Sequence, residues 1–179
     1  MERIKGLNEY VKNEKYRKAL NLPNEQEEEY TMLAQGEYNI NYSFTHPKTG
    51  KKLLLRVNCG SQMHLENQIG YECHALQLLE ASGRTPKVLY VDGSRKFLDH
   101  GVLVMEYLPG KALDYHTDLK YAAECLADIH SVRIPESIGF DSARESTDRN
   151  IGRVRRDGED IYGFTAWKRQ DEKENPRFA

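Results

Sequence analysis

The chain has 179 residues, of which 39% are apolar and 30% are charged, and this suits one folded domain or one lobe of a larger enzyme. The formal net charge of -2 gives no electrostatic reason to expect binding to nucleic acid or to an anionic membrane. Three cysteines, no apolar signal segment and no run of roughly 20 apolar residues lead us to expect a cytoplasmic protein without disulfides or a membrane span, whose partner is a small molecule.

The N-terminal segment, residues 1–28, is predicted to form an amphipathic helix and a linker. Apolar residues recur on one side of the helix, and these are Ile4, Leu7, Val11, Leu20 and Leu22. Pro23 and Asn24 then break the helical pattern before an acidic run at residues 25–29. We expect this helix to pack on the following domain.

Three strands follow in an antiparallel meander. Apolar residues tend to recur at every second position, as in strands, at residues 30–33, 40–45 and 52–57. Turns are predicted between them at 35–36 and 46–50. The third strand carries Arg56 in an otherwise apolar run. A guanidinium in such a strand needs a carboxylate or an anionic ligand.

A helix is predicted over residues 61–81, with Ser61 as its cap and Gly83 near its end. Its apolar stripe consists of Leu65, Ile69, Cys73, Leu76 and Leu79. Glu72 stands three residues after Ile69 and four before Leu76, so it projects from the apolar face. A carboxylate in that position needs a cation, and Arg56 is the candidate.

Two more strands, at 88–91 and 101–107, complete an α+β fold: a five-stranded antiparallel sheet with one packed helix, over residues 29–108. Residues 109–140 hold a further helix at 118–130, whose apolar side needs another layer to cover it. From residue 141 onwards nine acidic and nine basic residues dominate the sequence, and we expect a poorly ordered tail over 141–179.

The ordered set of residues matches what a nucleotide kinase site needs: a cation for the phosphates, a carboxylate to hold it, a turn over the phosphates and a hinge for adenine. The candidates, in the same order, are Arg56, Glu72, the turn at 35–39 and the segment 106–108. Each also has a structural interpretation, because the pair could be a simple ion pair and the turn an ordinary hairpin.

The sequence resembles the aminoglycoside phosphotransferase and choline kinase family, over roughly residues 30–131. The segments that carry the likeness are 33–44, Leu54-Leu55-Arg56-Val57, Tyr71-Glu72, Thr85-Pro86-Lys87-Val88, Val104-Met105-Glu106-Tyr107-Leu108-Pro109-Gly110 and Leu126-Ala127-Asp128-Ile129-His130-Ser131. The resemblance implies a protein-kinase-like fold with an N-terminal lobe and the start of a C-terminal lobe. It also implies ATP with Mg²⁺ as cofactor and a small hydroxyl compound, such as an aminoglycoside, choline, homoserine or a sugar, as substrate.

The resemblance also assigns roles to individual residues. Arg56, held by Glu72, would bind the phosphates, and the turn containing Gly36 and Asn39 would cover them. Met105 would lie behind the adenine, and the Glu106 carbonyl and the Leu108 amide would bond to its edge, as the list of candidates Gly36, Asn39, Arg56, Glu72, Met105, Glu106 and Leu108 records.

One departure from the family pattern concerns catalysis. Family members carry a His-Gly-Asp loop and a metal-binding Asp after the helix that ends near His130, but no histidine follows His130 here. Asp148 and Asn150 are too close together to replace the base and the metal ligand, and Asp157 and Asp160 lie in no apolar strand. We therefore expect a truncated ATP-binding lobe that is inactive alone, without catalytic or Mg²⁺-binding residues.

Two other hypotheses stay open. The chain could be a non-catalytic nucleotide-binding module that docks a partner through the helix at 118–130. It could also bind no ligand and self-associate through that exposed helix. The sequence leaves open whether residues 145–179 are native or come from a shifted frame.

Overall fold

A computed structural model describes residues 4–61 and 65–134, and its centre is a five-stranded sheet. The strands are β1 (Thr31–Gln35), β2 (Asn39–Thr45), β3 (Lys52–Asn58), β4 (Val88–Asp92) and β5 (Gly101–Glu106). Their order is β1-β2-β3-β5-β4, and every neighbouring pair is antiparallel. The predicted α+β fold, with an antiparallel sheet typical of a kinase-like N-terminal lobe, is confirmed.

The register of the sheet separates its side chains into two faces. β2 and β3 pair without a break from Asn39↔Asn58 to Thr45↔Lys52, and β3 pairs Arg56 with Leu103 on β5. Because side chains alternate along a strand, Arg56 shares one face with Leu54, Leu103 and Met105. We call this the front face. The back face carries the apolar residues between them, including Leu55, Val57, Val102 and Val104.

Two short helices cover the back face: α1 (Leu7–Tyr10) and α2 (Glu14–Ala19). The prediction of a single N-terminal helix was wrong, because Asn13 has an extended backbone (φ -62°, ψ 137°) between the two. Its side chain accepts a hydrogen bond from the Lys15 amide at 2.9 Å and so starts α2. The predicted packing on the domain is found, since Leu7 and Tyr16 are buried against the sheet.

A buried arginine fixes the linker that follows α2. Arg17 forms two hydrogen bonds of 3.0 Å to the Glu28 carboxylate and one of 2.6 Å to the Gln26 carbonyl. The acidic run at 25–29 is therefore partly structural, because one of its carboxylates neutralises a buried cation.

The helix on the front face, α3 (Gln68–Leu79), begins later than predicted. Its cap is Asn67, whose side chain accepts from the Gly70 amide at 3.0 Å, whereas Ser61 accepts from the Leu65 amide at 2.8 Å in the preceding segment. The predicted start at Ser61 is therefore wrong. Ile69 and Cys73 of α3 pack on the sheet as the predicted stripe requires.

A glycine allows α3 to approach the sheet closely. A Cβ added to Gly101 on β5 would lie 2.6 Å from Ile69 Cγ2, closer than carbon atoms pack. The close contact fixes the position of α3 on the front face, and with it the position of every side chain that α3 directs at the sheet.

The last described helix is α4 (Leu119–His130), within the predicted range. An ion pair of 2.7 Å between Arg84 and Asp128 links it to the segment before β4. Leu119 and Leu126 on α4 are more than half exposed. The predicted tail at 141–179 and the boundary near 140 lie outside the described residues. None of the described helices has the length and apolar character needed to cross a membrane.

Candidate functional site

The predicted pair on the front face forms. Arg56 on β3 donates a hydrogen bond from Nη1 to Oε1 of Glu72 on α3. Their side chains are 26% and 20% exposed, so the pair lies at the edge of the interior and is open to solvent or a ligand on one side. The strand and the helix therefore present a cation and its counter-ion together, as the sequence predicted.

A second acceptor holds the same guanidinium. Arg56 Nε donates to the side-chain oxygen of Asn41 on β2 at 2.9 Å, and Asn41 is the direct cross-strand partner of Arg56. The sequence analysis missed Asn41. The signal was available, because a hairpin with its turn at 46–50 places residues 41 and 56 opposite each other.

The electrostatics of Arg56 favour binding an anion. Burial lowers the pKa of Arg56 from its ordinary value, but arginine starts so high that the group stays charged at neutral pH. A guanidinium has five N–H donors, and Asn41 and Glu72 take one each. Among the described residues, no side chain accepts a hydrogen bond from Nη2 of Arg56.

The turn between β1 and β2 is fixed to the end of β3. Its main chain closes through a 2.8 Å bond from the Gly36 amide to the Asn39 carbonyl. The side-chain Nδ2 of buried Asn58 donates to the side-chain oxygen of Asn39 at 3.1 Å and to the Tyr38 carbonyl at 3.2 Å. Asn39 and Asn58 thus hold the turn against the end of β3.

Gly36 is not required by the packing of the protein itself. A Cβ at this position would meet the Asn39 carbonyl at 3.9 Å, an ordinary contact, and Gly36 is not among the glycines with positive φ. The role of Gly36 in covering the phosphates stays a prediction.

The predicted hinge lies where β5 ends. Met105 is 3% exposed and packs against Ile69 and Cys73, so it is buried on the front face beneath α3. Leu108 follows the strand and is 54% exposed. The roles of Met105 behind the adenine and of Leu108 at its edge stay predictions.

Glu106 ends the ladder with β4 in an unusual way. Its amide donates to the Lys87 carbonyl at 3.0 Å, but the Lys87 amide donates to the Glu106 carboxylate at 3.1 Å. In an antiparallel pair that amide would ordinarily bond to the Glu106 carbonyl. The side chain of Glu106 therefore replaces its own carbonyl as acceptor.

Metal binding by the described part of the chain would require several His, Cys, Asp or Glu side chains close together. Residues 4–61 and 65–134 hold no group of three or more His, Cys, Asp or Glu side chains that could hold a metal ion. The geometry supports binding of an anion at Arg56.

Comparisons with known proteins agree with this geometry. The model of a family described as the phosphotransferase enzyme family matches residues 29–176, which is most of the chain. The match continues beyond residue 131, where the likeness found from the motifs ends. No curated protein and no solved structure matches the chain.

Proposed function

Because the chain belongs to the phosphotransferase enzyme family, we propose that its described residues form the ATP-binding lobe of a small-molecule kinase of the aminoglycoside or choline kinase type. The observation that carries this proposal is the contact between Arg56 and Glu72 on the front face. A cation that a carboxylate holds, with donors left over, is the arrangement by which kinases position the phosphates of ATP.

The proposed roles of the other residues come from the family resemblance. Arg56 Nη2 binds the α- and β-phosphates, and the main chain of the Gly36 turn, which Asn39 anchors, lies over them. Met105 lies behind the adenine. The Glu106 carbonyl accepts from the adenine amino group and the Leu108 amide donates to the ring.

Magnesium accompanies ATP in such enzymes, where it neutralises charge that develops on the transferred phosphoryl group. The described residues offer no set of ligands for it, so we assign it to no residue of this chain. The acceptor is a small hydroxyl compound. No histidine follows His130 in these 179 residues, so we assign no catalytic base to this sequence and expect the 179-residue chain to turn over no acceptor by itself.

The cysteines agree with a cytoplasmic location, which we also propose. Cys59, Cys73 and Cys125 are all free thiols. Free thiols persist in the reducing cytoplasm, where ATP is available.

Titration calorimetry with Mg-ATP and with adenosine tests this function. We expect Arg56→Met to weaken ATP binding about tenfold or more, because a charge-assisted bond to phosphate is lost, and to leave adenosine binding unchanged. Arg84→Met is the matched control, since Arg84 is also paired with a carboxylate but lies outside the site. Circular dichroism checks that each variant is folded. Equal ATP affinities for wild type and Arg56→Met contradict the proposal.

A second candidate function is partner docking or self-association through α4. The exposed Leu119 and Leu126 favour it, because a water-facing apolar stripe on a helix is unusual without a partner. Sedimentation of the wild-type chain and of Leu126→Asp tests this candidate. Two results together favour docking over nucleotide binding: the wild-type chain binds no ATP, and it forms a dimer that Leu126→Asp dissociates.

A further inference from the structure

We propose that Asn41 is a positioning residue for ATP, which keeps Nη2 of Arg56 free for the phosphates. The inference rests on the proposed function and extends it to a residue that neither the motifs nor the family match singles out. Arg56 Nε donates a hydrogen bond of 2.9 Å to the side-chain oxygen of Asn41.

Arginine and a carboxylate have a preferred way of pairing when no other group contacts them. They form a fork in which two guanidinium nitrogens bond to the two carboxylate oxygens. Such a fork between Arg56 and Glu72 would occupy donors that a phosphate needs. The structure shows a single bond instead, from Nη1 to Oε1 of Glu72.

Asn41 supplies the reason for this single bond. By holding Nε, it fixes the plane of the guanidinium against rotation towards Glu72. Nε and Nη1 are then both engaged, from β2 and from α3, and Nη2 is the nitrogen left for a ligand. Two fixed partners also lower the entropy that Arg56 loses when ATP binds.

An asparagine suits this task better than an acid would. Its amide oxygen is a neutral acceptor, so it orients Arg56 without adding a negative charge beside the triphosphate. The side chain is short, and the cross-strand register places it opposite Arg56. Arg56 and Glu72 alone have no net charge, and a second carboxylate would make the site repel phosphate.

A double-mutant cycle tests the inference. The variants are Asn41→Ala, Arg56→Met and the double variant, each titrated with Mg-ATP and with adenosine. We expect Asn41→Ala to weaken ATP binding about fivefold, as suits loss of one bond to a charged group, and to leave adenosine binding unchanged. In the Arg56→Met background the same substitution should have no effect, because no guanidinium remains to be positioned.

A control and a second measurement separate positioning from a structural role. Thr45→Ala changes an exposed residue on the same strand and face, and should leave ATP binding unchanged. NMR of the Arg56 Nε–H in the absence of nucleotide reports the bond directly. We expect slow hydrogen exchange in the wild type and in Asn41→Asp, which keeps an acceptor, and fast exchange in Asn41→Ala.

The possible failures are distinguishable. If Arg56→Met weakens ATP binding and Asn41→Ala does not, the inference is wrong and the proposed function stands. The inference also fails if the two substitutions act additively, or if adenosine binding falls as much as ATP binding. If neither substitution changes ATP binding, the proposed function itself fails.

Discussion

The two faces of the sheet use the same strands for different purposes. Along β3, Leu55 and Val57 on the back face are fully buried, while Leu54 and Arg56 on the front face are only partly covered. The back face is sealed by α1 and α2 and contains a cluster of tyrosine side chains. The front face is covered at one end by α3 and carries polar side chains beside it.

This difference suggests that the back face provides most of the stability of the lobe and the front face provides its binding groups. Apolar burial is the main source of folding free energy, and most of it lies on the back face. The front face can therefore keep groups such as Arg56 and Asn41, which contribute little to stability but can bind a charged ligand. The following predictions test whether stability and binding separate in this way.

The largest effect is expected from Tyr16→Ala on the back face. Tyr16 is 1% exposed, its ring makes edge contacts with Tyr10 and Tyr90, and its hydroxyl lies 3.2 Å from that of Tyr30. Truncation leaves a large cavity, so we expect a loss of about 3–5 kcal/mol in the free energy of unfolding. Urea denaturation measures the loss. Under conditions where the variant stays folded, its ATP affinity should match the wild type.

Tyr115→Ala is the control for this change. Tyr115 is 78% exposed, so its removal should cost less than about 0.5 kcal/mol. Similar losses for the two tyrosines would show that the back face is not where the stability of the lobe lies.

A smaller effect, on both stability and binding, is expected from Gly101→Ala. The new methyl group would meet Ile69, so α3 must move away from the sheet at a cost of about 1–3 kcal/mol. Because Glu72 lies on α3, the shift should also weaken ATP binding. Gly110→Ala, where nothing lies within 4 Å of the added carbon, is the control. If Gly101→Ala lowers stability but leaves ATP affinity unchanged, the position of α3 does not affect ATP binding.

The sequence was sufficient to predict the elements that depend on local periodicity. The five strands, the stripe of α3 and the contact between Arg56 and Glu72 follow from apolar spacing, because each face must be buried or paired. The roles of Gly36, Met105 and Leu108 were inferred from the family resemblance, and they stay predictions.

Other features depend on contacts that local patterns do not encode. The break at Asn13 follows from capping and from the fit of two short helices to the back face, although the apolar stripe runs through it. The start of α3 at Asn67 was missed because Ser61 offers an equally good local cap. The bond from Arg56 to Asn41 requires the strand register, which comes from pairing across the hairpin.

The smallest effect concerns a carboxylate at the edge of the back face. Asp92 accepts hydrogen bonds from the Tyr10 hydroxyl at 2.8 Å and from the Ser94 amide at 3.0 Å. Burial acts to raise the pKa of Asp92, but the bonds from Ser94 and Tyr10 and the charge of Lys15 outweigh it and lower the pKa. Burial raises the pKa of Tyr10, so its hydroxyl stays protonated and remains a donor.

The sign of the pH dependence follows from the lowered pKa of Asp92. The unfolded chain binds a proton at Asp92 more readily than the native chain does, so this stabilisation is complete above the unfolded pKa of about 3.9 and is lost as the pH falls through the native value. We expect Asp92→Asn to lower the free energy of unfolding by about 1 kcal/mol at pH 7, because the hydrogen bonds from Tyr10 and Ser94 no longer go to a charged acceptor. The difference in unfolding free energy between wild type and variant should shrink below about pH 4. Urea denaturation across pH 3–7 measures it, with Asp99→Asn as an exposed control. A difference that stays constant over this range would mean that Asp92 holds the N-terminal helices by shape alone, and that the back face is sealed without its charge.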